Sequence, residues 1–174
     1  MCWQCYKDKF QLKKAETKVE CYKVVKIDLN DHDHIHSFFQ DAIYRIGYKY
    51  HSDIVIDCSF VDNRIYINEA IHSYSVPPTL KYDALAVNNN TDYYFIQEPI
   101  VMKCFIPEGA MYAINSDNEI ISSDIYVDSI VPIEELKLRY TANANWLEIH
   151  WYRITYKEIY DRMLDLLKKN NEFG

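Results

Sequence analysis

Between Val101 and Val131 the chain reads VMKCFIPEGAMYAINSDNEIISSDIYVDSIV. Two turn signals, Pro107-Glu108-Gly109 and Ser116-Asp117-Asn118, break it into runs rich in β-branched and aromatic residues. Proline presets one turn dihedral, while glycine and asparagine tolerate the left-handed conformation that tight turns need. The spacing predicts strand, turn, strand, turn, strand, which is a β-meander. This stretch constrains architecture and carries no catalytic motif.

The rest of the composition narrows the function classes. At 174 residues, nearly half of them hydrophobic, the chain is expected to form one domain over residues 1–174 with a sizeable core. Only three glycines are present, which excludes a Walker A loop and a GxGxxG phosphate cradle. A net charge of −7 argues against a general nucleic-acid binder, which needs a basic surface to displace counterions. A small nucleotide in one locally positive pocket stays compatible with that charge. The sixteen tyrosines offer rigid contact area with a polar tip, useful in cores, interfaces and base-stacking pockets. No apolar run reaches the roughly 18–20 residues that span a bilayer, and the start of the chain has no apolar signal-peptide core. The five cysteines are an odd number, so reduced thiols and a cytoplasmic location are expected, with no membrane partner.

Elsewhere the pattern is mostly β. Cys21–Ile27 predicts a strand after a polar, Lys-rich lead compatible with a short helix, and Asp28–His36 reads as a turn. Ser37–Ile46 fits a helix or an edge strand. Asp53–Cys58, Asn63–Ile67 and Ile71–Val76 read as β-structure, the last ending at Pro77-Pro78. Tyr82–Asp92 reads as a loop. Asn145–Ile154 alternates as a half-buried strand does. Thr155 and Glu158 then match a capping box ahead of an amphipathic helix, Tyr156–Asn170, with Ile159, Met163, Leu166 and Leu167 on its apolar face. The expected fold is α+β: an antiparallel, meander-rich sheet covered by this carboxy-terminal helix, with residues 136–174 forming a strand-plus-helix extension.

Two stretches resemble a widespread family of small phage and gut-bacterial proteins. MCWQC followed by KKAETKVECYKVV is similar to that family's Met-Cys-Trp opening and its "KIA-acidic-x-VYKV" strand. IHSYS and VMKCFIPEGAMYAINSDNEIISSDIYV are similar to its "GFHSY" and "KCIIPKGxxYxINxxGEIVSDKI" segments. The resemblance covers roughly the first three-quarters of the chain and implies a small β-rich domain without a particular activity. More distantly, Ile106-Pro107-Glu108-Gly109-Ala110-Met111-Tyr112 between strands is similar to the carboxy-terminal half of ADP-ribosyltransferase domains, with Ser73-Tyr74-Ser75 standing where those carry a Ser-Thr-Ser strand. At the position that resemblance assigns to the catalytic glutamate stands Lys103. A lysine cannot accept the hydrogen bonds that orient a ribose.

The candidate ligand-binding residues are therefore His72, Ser73, Tyr74, Ser75 and Lys103, with no catalytic residue and no cofactor expected. Strand alternation places His72 and Tyr74 on one face and Ser73 and Ser75 on the other. Lys103 suits a phosphate as a point charge if it faces a cleft, and otherwise lies on a solvated sheet face opposite Met102 and Cys104. Cys2 and Cys5 have zinc-type spacing, with Cys21, His32, His34 and His36 as further ligands, but without a second CxxC or HxxxH no metal is expected. A Cys58 or Cys104 nucleophile paired with His72 would need a depressed thiol pKa, and Cys104 reads as core. Trp146, His150 and Tyr152 share one strand face, with Trp151 on the other; a core row is the plainer reading. The leading expectation is a phage-type, non-catalytic accessory protein that binds a small ligand, such as a nucleotide or host defence signal, or a host protein. An ADP-ribosyltransferase-like enzyme acting on a nicotinamide dinucleotide is the alternative, and a self-associating, homo-oligomeric virion protein is the third.

Overall fold

The structure is a computed structural model that describes residues 3–27, 35–37, 43–58, 62–78, 80–82, 99–136, 138–140, 156–158, 160–162 and 164–165. Its strands are β1 (Gln4–Tyr6), β2 (Lys13–Lys14), β3 (Val19–Ile27), β4 (Ile35–Ser37), β5 (Ile43–Tyr44), β6 (Lys49–His51), β7 (Val55–Cys58) and β8 (Arg64–Glu69). They continue with β9 (Ile71–Tyr74), β10 (Leu80–Tyr82), β11 (Pro99–Ile106), β12 (Met111–Ile114), β13 (Glu119–Ser122), β14 (Asp124–Ile130) and β15 (Leu138–Tyr140). Helical backbone occurs at 156–158, 160–162 and 164–165. The chain is thus α+β and mostly β, as its pattern predicts.

Two compact units divide it. One comprises Met1–Lys23, Gly47–Pro77 and Lys103–Asp128, the other Val24–Ile46, Pro78–Met102 and Ser129–Gly174. One sheet has the strand order β2-β12-β13-β9-β3-β11-β14-β6, and a separate sheet has the order β1-β8-β7. Only Ser123 lies between β13 and β14, yet β9, β3 and β11 stand between those strands in the order. Strands pack about 4.8 Å apart and one residue reaches about 3.5 Å, so a flat sheet cannot make that link. The sheet curls, and the strand changes partners at a corner. Ser123 is that corner. Its N–H donates to Met111 O at 2.9 Å and its Oγ accepts from Met111 N–H at 3.1 Å, while its own carbonyl accepts from Ser52 N–H at 2.8 Å.

The corner corrects the predicted meander. The β12–β13 hairpin forms as expected, with Ile114 opposite Ile120, and Asn118 takes a φ of 61°. Asn115 Oδ1 accepts from the N–H groups of Asp117 and Glu119, both at 3.0 Å, which fixes the turn. β11, however, neighbours β3 and β14, and does not pair with β12. The turn at Pro107–Gly109 is engaged elsewhere: Gly109, with φ of 87°, donates its N–H to Ala15 O at 2.8 Å and so carries the chain to the β2 edge. Sequential antiparallel neighbours do occur in β3–β4–β5 and β7–β8.

The Lys-rich lead is also corrected. It forms no helix but two short strands, β1 against β8 and β2 against β12. Pairing across the fold overrides the weak helical preference of its lysines. Trp3 is the reason β1 is held. It is buried with Ile65, Ile67, Ala70, Ala113 and Ile121, and its ring meets Phe10 edge-on at 6.0 Å.

In the second unit β4 pairs antiparallel with β3 and β5, and β10 lies parallel to β15. A 3₁₀ turn at Ile133–Glu135 follows Pro132. Tyr156, on the first helical turn, is buried; its hydroxyl donates to Val131 O at 2.6 Å and accepts from Val101 N–H at 3.3 Å. Ser37 and Ile43–Tyr44 settle the ambiguous segment as strand where it is described, and Ile35 and His36, read from the sequence as the end of a turn, are strand as well because they pair with β3. Of the predicted loop Tyr82–Asp92, Tyr82 is the last residue of β10 and the rest lies outside the described residues, as do the strand at 145–154 and the side chains of Ile159, Met163, Leu166 and Leu167.

Candidate functional site

The predicted site residues sit on and beside β9, which lies between β13 and β3. Tyr74 stands opposite Tyr22, so His72, Tyr74 and Tyr22 share one half-buried face. Ser73 points the other way and is buried. Ser75 follows the strand and donates its N–H to Asn118 O at 2.9 Å. Burial and the positive charge of Lys23 push the His72 imidazole down to about 4, so it is neutral at neutral pH. It is neither a proton shuttle there nor a cation for an anionic ligand.

Lys103 lies on β11 between the buried Met102 and Cys104, on the opposite, half-exposed face. Its Nζ is 3.4 Å from Glu20 Oε2 and 5.7 Å from the centre of the Phe105 ring, over which Lys18 Nζ also stands at 4.5 Å. Glu20 also accepts from the Tyr22 hydroxyl. Lys103 thus belongs to a surface ion pair on a sheet face, on the side opposite Ser73. The structure does not bring the five predicted residues together around one cleft.

The inward face holds a polar row instead. Cys21 and Lys23 on β3 and Ser73 on β9 are buried, as are Cys104 on β11 and Ser122 on β13. Lys23 Nζ donates to His72 O, and burial lowers its pKa. Burial pushes the Cys21 thiol up to about 11 and the Cys104 thiol higher still. A thiol raised so far carries no thiolate at neutral pH, so the nucleophile that Cys104 and His72 would make is not formed. Cys58 is exposed on the edge strand β7, and Cys5, Cys21, Cys58 and Cys104 are all free thiols. Among the described residues no three His, Cys, Asp or Glu side chains gather as a metal site, and Cys2, His32 and His34 lie outside them.

One open cleft, of about 1040 Å³, runs along the β2 edge. It is lined by Gln11, Lys13, Lys14, Ala15, Glu16, Thr17, Val19, Glu108, Gly109 and Tyr112. The local sequence explains its shape: β2 is only two residues long, and the turn at Pro107–Gly109 hangs on Ala15 beside it. Lys13 stands opposite Tyr112 in the β2–β12 register, so an ammonium and a phenol ring share one side of the strand pair. Lys14 stands opposite Met111. Two lysines and two glutamates therefore line one space together with an aromatic ring, a hydroxyl and an amide. Sequence reasoning missed this cleft because Gln11–Thr17 and Glu108–Tyr112 lie far apart in the chain. The available signals were the run Lys13-Lys14 and, far away in the chain, the predicted turn at Pro107–Gly109. No protein-family model, curated protein or solved structure matches this chain.

Proposed function

We propose that this protein is a non-catalytic binding protein whose ligand is a small molecule bearing both phosphate and hydroxyl or amino groups, a nucleotide being that chemical class, and that the ligand binds in the β2-edge cleft. The supporting observation is the lining of that cleft. Lys13 and Lys14 supply cationic donors for phosphate oxygens, Tyr112 supplies a ring face for a base, and Glu16 and Glu108 are acceptors for ribose hydroxyls or exocyclic amines. The volume lies at the upper limit of small-ligand sites. The phage-type resemblance of MCWQC, IHSYS and the 101–127 segment agrees with an accessory protein that captures a host signal, without requiring turnover.

The test is a thermal-shift series with mononucleotides and cyclic dinucleotides, since a ligand that binds only the folded state raises its melting temperature. The expected result is a dose-dependent rise with at least one nucleotide, lost in Lys13→Glu and reduced in Tyr112→Ala, with Lys103→Ala unchanged. A rise that depends on Lys103 and ignores Lys13 would move the site to the β11 face. Release of nicotinamide from a nicotinamide dinucleotide would replace binding by catalysis.

A further inference from the structure

Two serine hydroxyls in the first unit are out of keeping with their surroundings. Ser73 is 2% exposed and Ser122 is 0% exposed, and neither Oγ has a hydrogen-bond partner among the described residues. Buried hydroxyls in folded proteins are nearly always bonded, to protein or to bound solvent. The Cys21 thiol is within interacting distance of the Ser73 hydroxyl and is a weak partner, which leaves hydrogen-bonding capacity on Ser73.

Register brings the two together. In the β13–β9 pair Ile120 stands opposite Ser73 and Ser122 opposite Ile71. Opposed residues share a face, so both serines point to the same side, at diagonal positions of neighbouring strands. Such positions lie about 7–8 Å apart at the backbone and closer at the side chains. That spacing is too long for a direct bond and suits one intervening oxygen, at about 2.8 Å from each hydroxyl. On the other side of β9, Tyr22 faces Tyr74, so the next residue, Lys23, falls on the face of Ser73. Its ammonium reaches the carbonyl of His72, the residue before Ser73. A charged donor and two hydroxyls therefore converge on one stretch of the interior.

We propose that this interior is a hydration site, in which bound water joins Ser73 Oγ to Ser122 Oγ beside the Lys23 ammonium. Ile120 and Ile71 stand opposite the two serines on that face, and Ser73, Ser122 and Lys23 still supply the two or more polar partners that an internal water needs. The site is separate from the β2-edge cleft, to which none of these three residues contributes. Both hydroxyls and the solvent between them form one unit, so their removal is not additive.

The experiment is a crystal structure of the full chain at a resolution that places ordered solvent, paired with melting of Ser73→Ala, Ser122→Ala and the double variant. The expected density is a water within hydrogen-bond distance of both Oγ atoms. Each single variant should melt below the wild type, because one hydroxyl and its water lose a partner. The double variant should melt above the sum of the two losses. Two hydroxyls turned onto main-chain carbonyls with no solvent within reach would overturn the proposal, as would a halide in the same density. If the single variants do not fold, the wild-type density decides by itself.

Discussion

The indole Nε1 of Trp3 donates to the main-chain oxygen of Glu119 at 3.0 Å, tying the third residue of the chain to the start of β13. The bond lies at the rim of the cluster formed by Ile65, Ile67, Ala70, Ala113 and Ile121. The same contact therefore closes a core and sets the height at which β1 meets the β12–β13 hairpin. Asn115, which holds the hairpin turn, reinforces the link by donating from Nδ2 to Gln4 O at 3.3 Å.

Trp3→Ala should cost about 3–5 kcal/mol, the range for emptying a large aromatic site in a packed core. Trp3→Phe should cost less, since the ring is kept while the donor is lost. Chemical denaturation of the three proteins checks this. Equal stability of Trp3→Ala and wild type would mean that β1 is not part of the folding unit.

Tyr156→Phe deletes one hydroxyl that serves two main-chain groups. Val131 N–H already donates to Val101 O at 2.8 Å, and the Tyr156 hydroxyl adds a bridge between Val101 N–H and Val131 O. Without it, a buried donor and a buried acceptor are both left unmatched, a loss of about 1–3 kcal/mol. Urea unfolding should show that drop. Amide exchange should show faster exchange at Val101 in the variant.

His72 makes the folded state sensitive to acid. An ordinary imidazole titrates at about 6.5, and burial with the nearby Lys23 charge brings this one to about 4. Below pH 6.5 the unfolded chain binds the proton and the folded chain resists it, so stability falls as pH drops from about 6.5 to about 4. His72→Gln should flatten that slope. The exposed His51, which bonds Asp124 at 2.9 Å through Nδ1, shifts in the opposite sense, upward, through Asp124 and then Asp53. Its contribution is present below its unfolded pKa and is lost as pH rises through the raised one. Melting curves across pH 4–8 on His72→Gln and His51→Gln separate them.

The thiols should react in two classes. Cys58 is exposed and should be alkylated in the native protein, while Cys21 and Cys104 are buried with thiols held protonated. Mass spectrometry after a short alkylation at neutral pH should find label at Cys58, and at Cys21 and Cys104 only after denaturant is added. Native labelling of Cys104 at a rate like that of Cys58 would contradict its burial.

Local chemistry was written in the sequence. Proline, glycine and asparagine marked the turns at 107–109 and 116–118, strand alternation sorted the faces of β9, and a strand face shared with Met102 and Ile106 marked Cys104 as core. These are short-range properties, fixed by the sterics of neighbouring residues. Pairing was decided only by the tertiary structure. Nothing in Ser123 announces that a strand changes partners there, because a bend is stabilised by Met111 and Ser52 on either side of it. Trp3 is buried only because residues of β8, β12 and β13 cover it. Lys23, within a predicted strand, is buried only because of the strands that flank β3. Lys13 and Tyr112 become neighbours only in the β2–β12 register. Burial and the cleft depend on which strands meet, and that choice is made by the whole core at once, through contacts between residues distant in sequence.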